Sequence, residues 1–136
     1  MKILFVVSEV EDLVKTGGLA DVGKALPLAL AKLGHDVKIV MPYYRQLADK
    51  CNADDCCTKQ ILYSGQNPYK FAVKSLSLEG LQVLAVDYPE YFDRKGLYAD
   101  DYHAYSDNAE RFAFFANAAL QASRAVDFQP DIVHCN

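Results

Sequence analysis

A lysine followed by a glycine pair is the part of this sequence whose residue types and spacing best suit binding chemistry. Lys15, Thr16, Gly17 and Gly18 come directly before an amphipathic segment that begins at Leu19. Glycines let a ligand approach the backbone, the free amides of a helix start attract anions, and Lys15 adds a mobile positive charge. The pattern predicts a phosphate-binding loop, although the two glycines could also serve only to turn the chain into the helix.

Two known phosphate-binding motifs do not fit this segment. Gly18, Gly23 and Lys24 imitate a P-loop, but Ala25 stands where that motif needs a Ser or Thr to hold Mg²⁺. The spacing also places Gly23 and Lys24 inside the predicted helix. The dinucleotide pattern G-x-G-x-x-G is absent, so NAD and FAD are not expected. We expect neither a cofactor nor a bound metal ion.

Other polar and aromatic side chains are weaker candidates. Glu9 and Asp21 flank the glycine pair and could hydrogen-bond sugar hydroxyls, but a solvated loop acid and a first-turn acid that favours the helix dipole are the alternatives. His103 and His134 have no Ser, Cys or acid partner at a spacing typical of catalysis. Tyrosines between residues 88 and 105 could stack on sugars or simply hold a long loop in place.

Composition excludes several classes of protein. The chain has 136 residues, 51% hydrophobic and 24% charged, as in a single globular domain. No apolar run approaches the roughly 18 residues of a membrane helix, and the first strand meets Ser8 and Glu9 too soon for a signal peptide. A net charge of −4 without a basic cluster argues against nucleic acid. The four cysteines lack zinc-site spacing, so we expect reduced thiols, as is usual in a cytoplasmic protein. Without an apolar run of membrane length, we expect no membrane partner.

A strand–helix–strand unit must position the glycine loop. Lys2–Val7 is an apolar, β-branched run that predicts a strand buried on both faces, and apolar residues recur at helical spacing over 19–33 until Gly34. Val37–Met41 predicts the next strand, parallel to the first. Pro27 predicts a kink or the start of a second helical segment.

The middle of the chain predicts a hairpin. Residues 43–59 lack a period and predict a loop. Three strands follow, at Gln60–Tyr63, Lys70–Leu78 and Leu81–Asp87. Glu79-Gly80 predicts a two-residue turn between the last two of them.

The last third predicts a loop, a helix and a strand. Pro89–Tyr105 is a tyrosine-rich loop, and Asp107 with Glu110 fits a capping box at the start of a mostly buried helix. Ile132–Cys135 predicts another core strand. Because an interior parallel strand normally leads into a covering helix, the end at Asn136 predicts a truncated domain.

The order of five motifs resembles the N-terminal part of bacterial glycogen synthases and plant starch synthases. The motifs are Lys2-Ile-Leu-Phe-Val-Val-Ser-Glu-Val10, Lys15-Thr-Gly-Gly-Leu-Ala-Asp-Val-Gly-Lys-Ala-Leu-Pro27, Tyr91-Phe92-Asp93-Arg94-x-Gly96-x-Tyr98, Tyr105-x-Asp107-Asn108-x-x-Arg111-Phe112 and Pro130-Asp131-Ile132-Val133-His134-x-Asn136. They span essentially the whole chain, and Lys-Thr-Gly-Gly-Leu is highly specific for the family. Glu11-Asp12 departs from the proline of many relatives.

The resemblance implies a retaining glycosyltransferase that adds glucose from ADP-glucose to the non-reducing end of an α-1,4-glucan in glycogen biosynthesis. It implies two Rossmann-like domains in the GT-B arrangement, with residues 1–136 as part of the N-terminal, acceptor-side domain and the C-terminal nucleotide-binding domain absent. Residues expected near ADP-glucose are Lys15, Gly17, Gly18, Asp21 and Tyr98. Glu9 and Asn136 are expected on the acceptor side. No catalytic residue is expected within this fragment, which should be inactive alone.

The residues themselves leave two other classes open. A self-contained nucleotide-binding domain would be favoured by ATP hydrolysis by the isolated chain. A non-catalytic glucan-binding module would be favoured by affinity for maltooligosaccharides, together with no catalytic deficit when Lys15 is altered in the full protein.

Overall fold

The computed structural model describes the backbone of residues 1–136 and every side chain except that of Thr58. The elements are β1 (Lys2–Val6), α1 (Gly18–Lys32), β2 (Asp36–Pro42), α2 (Arg45–Lys50), β3 (Asp54–Ser64), β4 (Asn67–Leu78), β5 (Leu81–Asp87), α3 (Pro89–Phe92), α4 (Asn108–Ala125) and β6 (Ile132–Cys135). One sheet has the order β3-β4-β5-β2-β1-β6. Its β5, β2, β1 and β6 strands are parallel, whereas β3 and β4 are antiparallel neighbours. The predicted Rossmann-like, mostly parallel α/β fold is confirmed.

The predicted strand–helix–strand unit forms the centre of this fold. Phe5 of β1 is fully buried and pairs with Ile39 of β2. Gly34 has φ +88° and donates its amide to the Ala31 carbonyl, so it ends α1 as predicted. Pro27 lies buried within one helix, so the predicted second helical segment is wrong. Burial of the apolar face sustains α1 across the amide that proline lacks.

The predicted hairpin turn is also present. Glu79 and Gly80 have φ values of +48° and +88°, and they connect the paired Leu78 and Leu81. Positive φ at both central positions is the geometry of a type I′ turn, whose twist matches that of the flanking strands.

The prediction of a loop over 43–59 is wrong. This segment holds α2 and the first part of β3. Leu47 is the only fully buried residue of α2, and a single anchor produces no readable period. The first part of β3 is polar because β3 is an edge strand, where pairing with β4 rather than burial maintains the strand.

The predicted capping box at α4 is wrong as well. Asp107 precedes the helix but makes no side-chain cap hydrogen bond. Its two carboxylate oxygens accept bonds from Nη1 and Nη2 of Arg94, at 2.7 and 2.6 Å. A bidentate, charge-assisted pair is stronger than a bond to a neutral backbone amide, so Asp107 binds Arg94 instead of capping the helix.

The predicted strand β6 lies at one edge of the described sheet. It pairs with β1, its one neighbour in the described sheet, and Ile132 and Val133 are 43% and 41% exposed. His134 stacks on Phe5 with ring centroids 4.6 Å apart. The predicted strand is therefore confirmed, and in the 136-residue chain it presents apolar side chains to solvent. None of the described helices combines the length and apolarity needed to cross a membrane.

One glycine of α1 permits close packing on the chain that follows β1. A Cβ on Gly23 would lie 2.3 Å from the carbonyl oxygen of Glu9 and 3.3 Å from a methyl of Val7. A backbone atom cannot move away as easily as a side-chain tip. Gly23 is therefore explained by helix packing and not by a P-loop.

Replacing Gly23 with Ala should lower the free energy of unfolding by about 1 kcal/mol or more. Overpacking costs about 1–3 kcal/mol, and a 2.3 Å approach to a backbone atom places Gly23 toward the upper end of that range. The gain of about 1 kcal/mol in helix propensity offsets only part of this cost. Urea unfolding measures the difference. Gly18→Ala is the matched control, because no described heavy atom lies within 4 Å of its Cβ position. Equal stability of Gly23→Ala and the parent chain would contradict the close approach.

The 136-residue chain should self-associate through β6, because an open strand edge beside exposed apolar side chains favours association. Sedimentation velocity at rising concentration should show larger species, and Val133→Lys should shift them to monomer. Leu33→Lys is the control, since Leu33 is exposed but lies just after α1. A monodisperse parent chain would refute this prediction.

Candidate functional site

The predicted site residues gather at the carboxyl edge of the parallel strands. The segment from Ser8 to Gly17 connects the end of β1 to the start of α1. Asn136 follows β6 directly, and its amide donates to the Val6 carbonyl at 3.0 Å. This edge is where open α/β sheets bind ligands.

The carboxylate of Glu9 holds this segment in place. Oε2 accepts the Thr16 amide at 2.6 Å and the Gly17 amide at 3.3 Å. Oε1 accepts the Thr16 hydroxyl at 2.7 Å and the Tyr98 hydroxyl at 2.6 Å. Glu9 is only 2% exposed. We call Glu9, Thr16, Gly17 and Tyr98 the Glu9 clamp.

The protonation states of the clamp follow from its contacts. Burial raises the pKa of Glu9, but the bonds from Tyr98 and Thr16 outweigh it and bring that pKa below its ordinary 4.5. Burial and donation to Glu9 raise the pKa of Tyr98. At neutral pH the carboxylate therefore accepts and the phenol donates. The Ser8 hydroxyl lies 2.8 Å from the Tyr98 oxygen and completes the group.

Lys15 lies at the outer side of the loop, 43% exposed, between two acids. Its ammonium donates to Asp21 of the first helical turn and, at 3.4 Å, to Glu11. The bond to Asp21 is the main reason that the pKa of Lys15 is raised and that of Asp21 lowered. Exposed ion pairs contribute little stability, so a phosphate could replace these carboxylates at small cost.

Neither glycine of the pair is required by the fold itself. Gly17 is extended, with φ −159° and ψ −164°, and Gly18 is not among the residues with positive φ. No heavy atom of the described chain lies within 4 Å of a Cβ position on either residue. Side chains here would project into open space at the start of α1, where a ligand could approach the backbone amides.

The structure brings together some predicted residues and separates others. Lys15 contacts Asp21, and Glu9 contacts Tyr98, whereas Asn136 lies at the same edge beyond β6. His103 is exposed in the 98–105 loop and His134 stacks on Phe5, apart from the clamp. No group of three or more described His, Cys, Asp or Glu residues could hold a metal ion.

The roles of three residues of the site were not predicted from the sequence, although Thr16 was named as part of the candidate loop. Thr16 and Ser8 contribute the hydroxyls described above, and Arg111 holds the segment that carries Tyr98. Only their presence inside the quoted motifs could have signalled them. No spacing rule relates Glu9 to Tyr98, which is 89 residues away.

Fold and site together define an α/β domain with a glycine loop at the carboxyl edge of its parallel strands. The chain matches the starch synthase catalytic domain family over residues 2–136. It belongs to this family, and the resemblance drawn from its motifs is confirmed.

Individual proteins similar to this chain support the same family assignment. The chain is 50% identical to the glycogen synthase of Aeromonas salmonicida (strain A449) and 51% identical to that of Aeromonas hydrophila. Each match covers the whole of this chain but 28% of the relative, so the chain spans little more than a quarter of their length. Among solved structures it is similar to the catalytic domain of starch synthase IV from Arabidopsis thaliana bound to ADP and acarbose. That match has a TM-score of 0.79 and 29% identity, and covers 98% of this chain and 27% of that one.

Replacing Glu9 with Gln should lower the free energy of unfolding by about 3 kcal/mol at pH 7, because charge-assisted hydrogen bonds are lost. The pKa of Glu9 is lower in the folded chain, so its contribution is complete above about pH 4.5 and is lost as the pH falls through the folded-state value. Denaturant titrations from pH 7 to pH 3 should show the two proteins converging. A pH-independent difference would contradict the role of the charge. Glu11→Gln is the control, because Glu11 is a loop acid whose side chain is 41% exposed.

Proposed function

We propose that this chain is part of a glycogen synthase, a retaining hexosyltransferase that transfers glucose from ADP-glucose to the non-reducing end of an α-1,4-glucan in glycogen biosynthesis. The observation that carries the proposal is the loop between β1 and α1, where two glycines that the fold does not require stand beside Lys15. Membership of the starch synthase catalytic domain family supports it, as does the ADP bound to the similar plant enzyme.

Residues 1–136 are proposed as part of the N-terminal, acceptor-side domain of a GT-B enzyme. The relatives are more than three times as long as this chain, which leaves room for a C-terminal nucleotide-binding domain. In this proposal the catalytic groups and most nucleotide contacts lie in that remaining length. The protein is proposed to be cytoplasmic, with a sugar nucleotide and a glucan as its partners.

The proposed donor side is the outer face of the glycine loop. The diphosphate of ADP-glucose would take the place of Asp21 and Glu11 at the Lys15 ammonium, and would face the amides of Gly17 and Gly18. The Gly17 amide already donates to Glu9 at 3.3 Å, so the diphosphate would share this amide with Glu9. Negative charge grows on the diphosphate as the glycosidic bond breaks. A cation and a helix start placed there stabilise the transition state more than the ground state, which is the requirement for acceleration.

The proposed acceptor side is built differently. Both carboxylate oxygens of Glu9 accept bonds from within the chain, so Glu9 acts by holding Thr16 and Tyr98 in position. Asn136 is exposed at the end of β6, where its side chain is open to a sugar hydroxyl. Tyr98, proposed on the donor side, is half-buried and connects the two sides by donating its hydroxyl to Glu9.

The imitation P-loop gives no support to a self-contained nucleotide hydrolase. Gly23 packs on the Glu9 carbonyl, and Lys24 binds Asp12 and Glu79. These contacts raise the pKa of Lys24, with the bond to Asp12 the largest cause. Both residues are therefore engaged in holding α1 to its neighbours.

Replacing Lys15 with Ala in the complete gene product should lower kcat/KM for ADP-glucose by roughly 10- to 150-fold. A hydrogen bond to a charged group contributes about 1.5–3 kcal/mol, which gives this range. Lys15→Arg should recover only part, because the guanidinium is larger and its donors form a planar fork. Steady-state kinetics with glycogen as acceptor provides the test, with circular dichroism as the check on folding.

The matched control is Lys32→Ala, which removes the same charge from the far end of α1 and should leave the kinetics unchanged. Wild-type kcat/KM in Lys15→Ala would refute the phosphate assignment of the loop. A wild-type protein that transfers no glucose from ADP-glucose to glycogen would refute the proposed function itself.

A further inference from the structure

Arg111 is a buried cation without an ionic partner. It lies in the first turn of α4, is 0% exposed, and is the largest side chain that the fold buries completely. An isolated buried charge is costly, so buried arginines normally pair with carboxylates. Among the described residues no carboxylate accepts a bond from Arg111, and the neighbouring Asp107 binds Arg94 instead. An ion pair therefore does not explain this arginine.

Its hydrogen bonds are directed at the segment that carries Tyr98. Nε donates to the Tyr91 carbonyl at 2.8 Å, and Nη1 donates to the Leu97 carbonyl at 2.9 Å. Nη1 also donates to Oδ1 of Asn108 at 2.7 Å, and Nδ2 of Asn108 donates to the Tyr98 carbonyl at 2.8 Å. Arg111 therefore holds the Leu97 carbonyl directly and the Tyr98 carbonyl through Asn108.

The aromatic neighbours of Arg111 support the same tyrosine. Its guanidinium lies 5.0 Å from the ring centroid of Tyr105, 5.3 Å from that of Phe112 and 5.5 Å from that of Phe92. Phe112 in turn packs against the Tyr98 ring, with centroids 5.6 Å apart. Cation–π contacts fix the orientation of a guanidinium. Both the backbone and the ring of Tyr98 therefore depend on where Arg111 lies.

The arginine is not optimised for stability alone. Its Nη2 and the hydroxyl of Tyr44 are both buried without a hydrogen-bond partner among the described residues. A buried donor without an acceptor is destabilising. The charge also acts on the site, because Arg111 opposes the rise in the pKa of Tyr98 that burial and the bond to Glu9 cause.

We propose that Arg111 is a positioning residue of the ligand site: by fixing the backbone and ring of Tyr98 it brings the Tyr98 hydroxyl to Glu9, which holds the Thr16–Gly17 amides and shapes the loop for a diphosphate. The identity of the ligand rests on the proposed function. The linkage from Arg111 to the loop rests on the contacts alone.

Hydrogen exchange tests the linkage without any ligand, in the complete gene product. Arg111→Met should speed exchange at the Thr16 and Gly17 amides about tenfold, and Tyr98→Phe should do the same. The matched control is Arg124→Met, an exposed arginine in the last turn of the same helix, which should leave these amides unchanged. Faster exchange confined to residues 89–107 would overturn the proposal, because Arg111 would then support only its own surroundings.

Kinetics tests whether the linkage matters for the donor. Arg111→Met should lower kcat/KM for ADP-glucose about tenfold without changing KM for glycogen, and Arg111→Lys should recover part of the loss. In a double-mutant cycle, Arg111→Met with Tyr98→Phe should be no worse than the poorer single variant, because the two act in series. Losses that multiply would overturn the proposal.

Asn108→Ala decides the matter if Arg111→Met does not fold. It keeps the guanidinium but removes the link to the Tyr98 carbonyl. Exchange at the Thr16 and Gly17 amides should therefore be faster, and kcat/KM for ADP-glucose lower, each by about threefold or more. Wild-type values in both would overturn the proposal. A wild-type protein without transferase activity would refute the proposed function, and hydrogen exchange at Thr16 and Gly17 would still decide the role of Arg111.

Discussion

The site depends on one buried carboxylate. Removing Glu9 from water is unfavourable, and only the four donors of Thr16, Gly17 and Tyr98 make the ionised form the stable one. Those donors come from two distant segments, so satisfying the charge determines both the path of the glycine loop and the position of Tyr98. The Glu9 backbone is constrained too, because α1 packs against its carbonyl at Gly23. Few residues could replace a group that serves both purposes.

Around this carboxylate the chain separates two kinds of ionic contact. Arg94 holds Asp107 in a half-buried, bidentate pair that keeps the loop before α4 in shape. Lys15 instead holds Asp21 and Glu11 where all three are well exposed. The first kind makes a rigid support, and the second leaves a cation whose partners can be exchanged. A ligand site needs both, because the support must not move when the partners change.

The sequence predicted the features that depend on neighbouring residues better than those that depend on residues far apart in the chain. The first strand, α1 and the Glu79-Gly80 turn follow from local periodicity and turn chemistry, and they are confirmed. The short helix around Leu47 and the polar edge strand β3 gave no such pattern. Asp107 was assigned to the backbone because its arginine partner is not visible locally. The assignment of individual residues to ligands stays a prediction: ADP-glucose for Lys15, Gly17, Gly18, Asp21 and Tyr98, and the acceptor side for Glu9 and Asn136. The structure adds the contacts that hold these residues in place.

The strand order has a consequence for how the chain folds as it is synthesised. Strand β1 lies inside the sheet, and one of its two neighbours is β6, so that Ile3 pairs with the sequence-distant Ile132. The loop after β1 likewise needs the Tyr98 hydroxyl as a partner for Glu9, and the segment of Tyr98 is in turn held by Arg111. Such contacts between segments far apart in the sequence are slow to form because the intervening loop must close first. A nascent chain on the ribosome therefore exposes the apolar edge of β1 until β6 emerges, and the Glu9 carboxylate lacks its tyrosine donor until Tyr98 emerges.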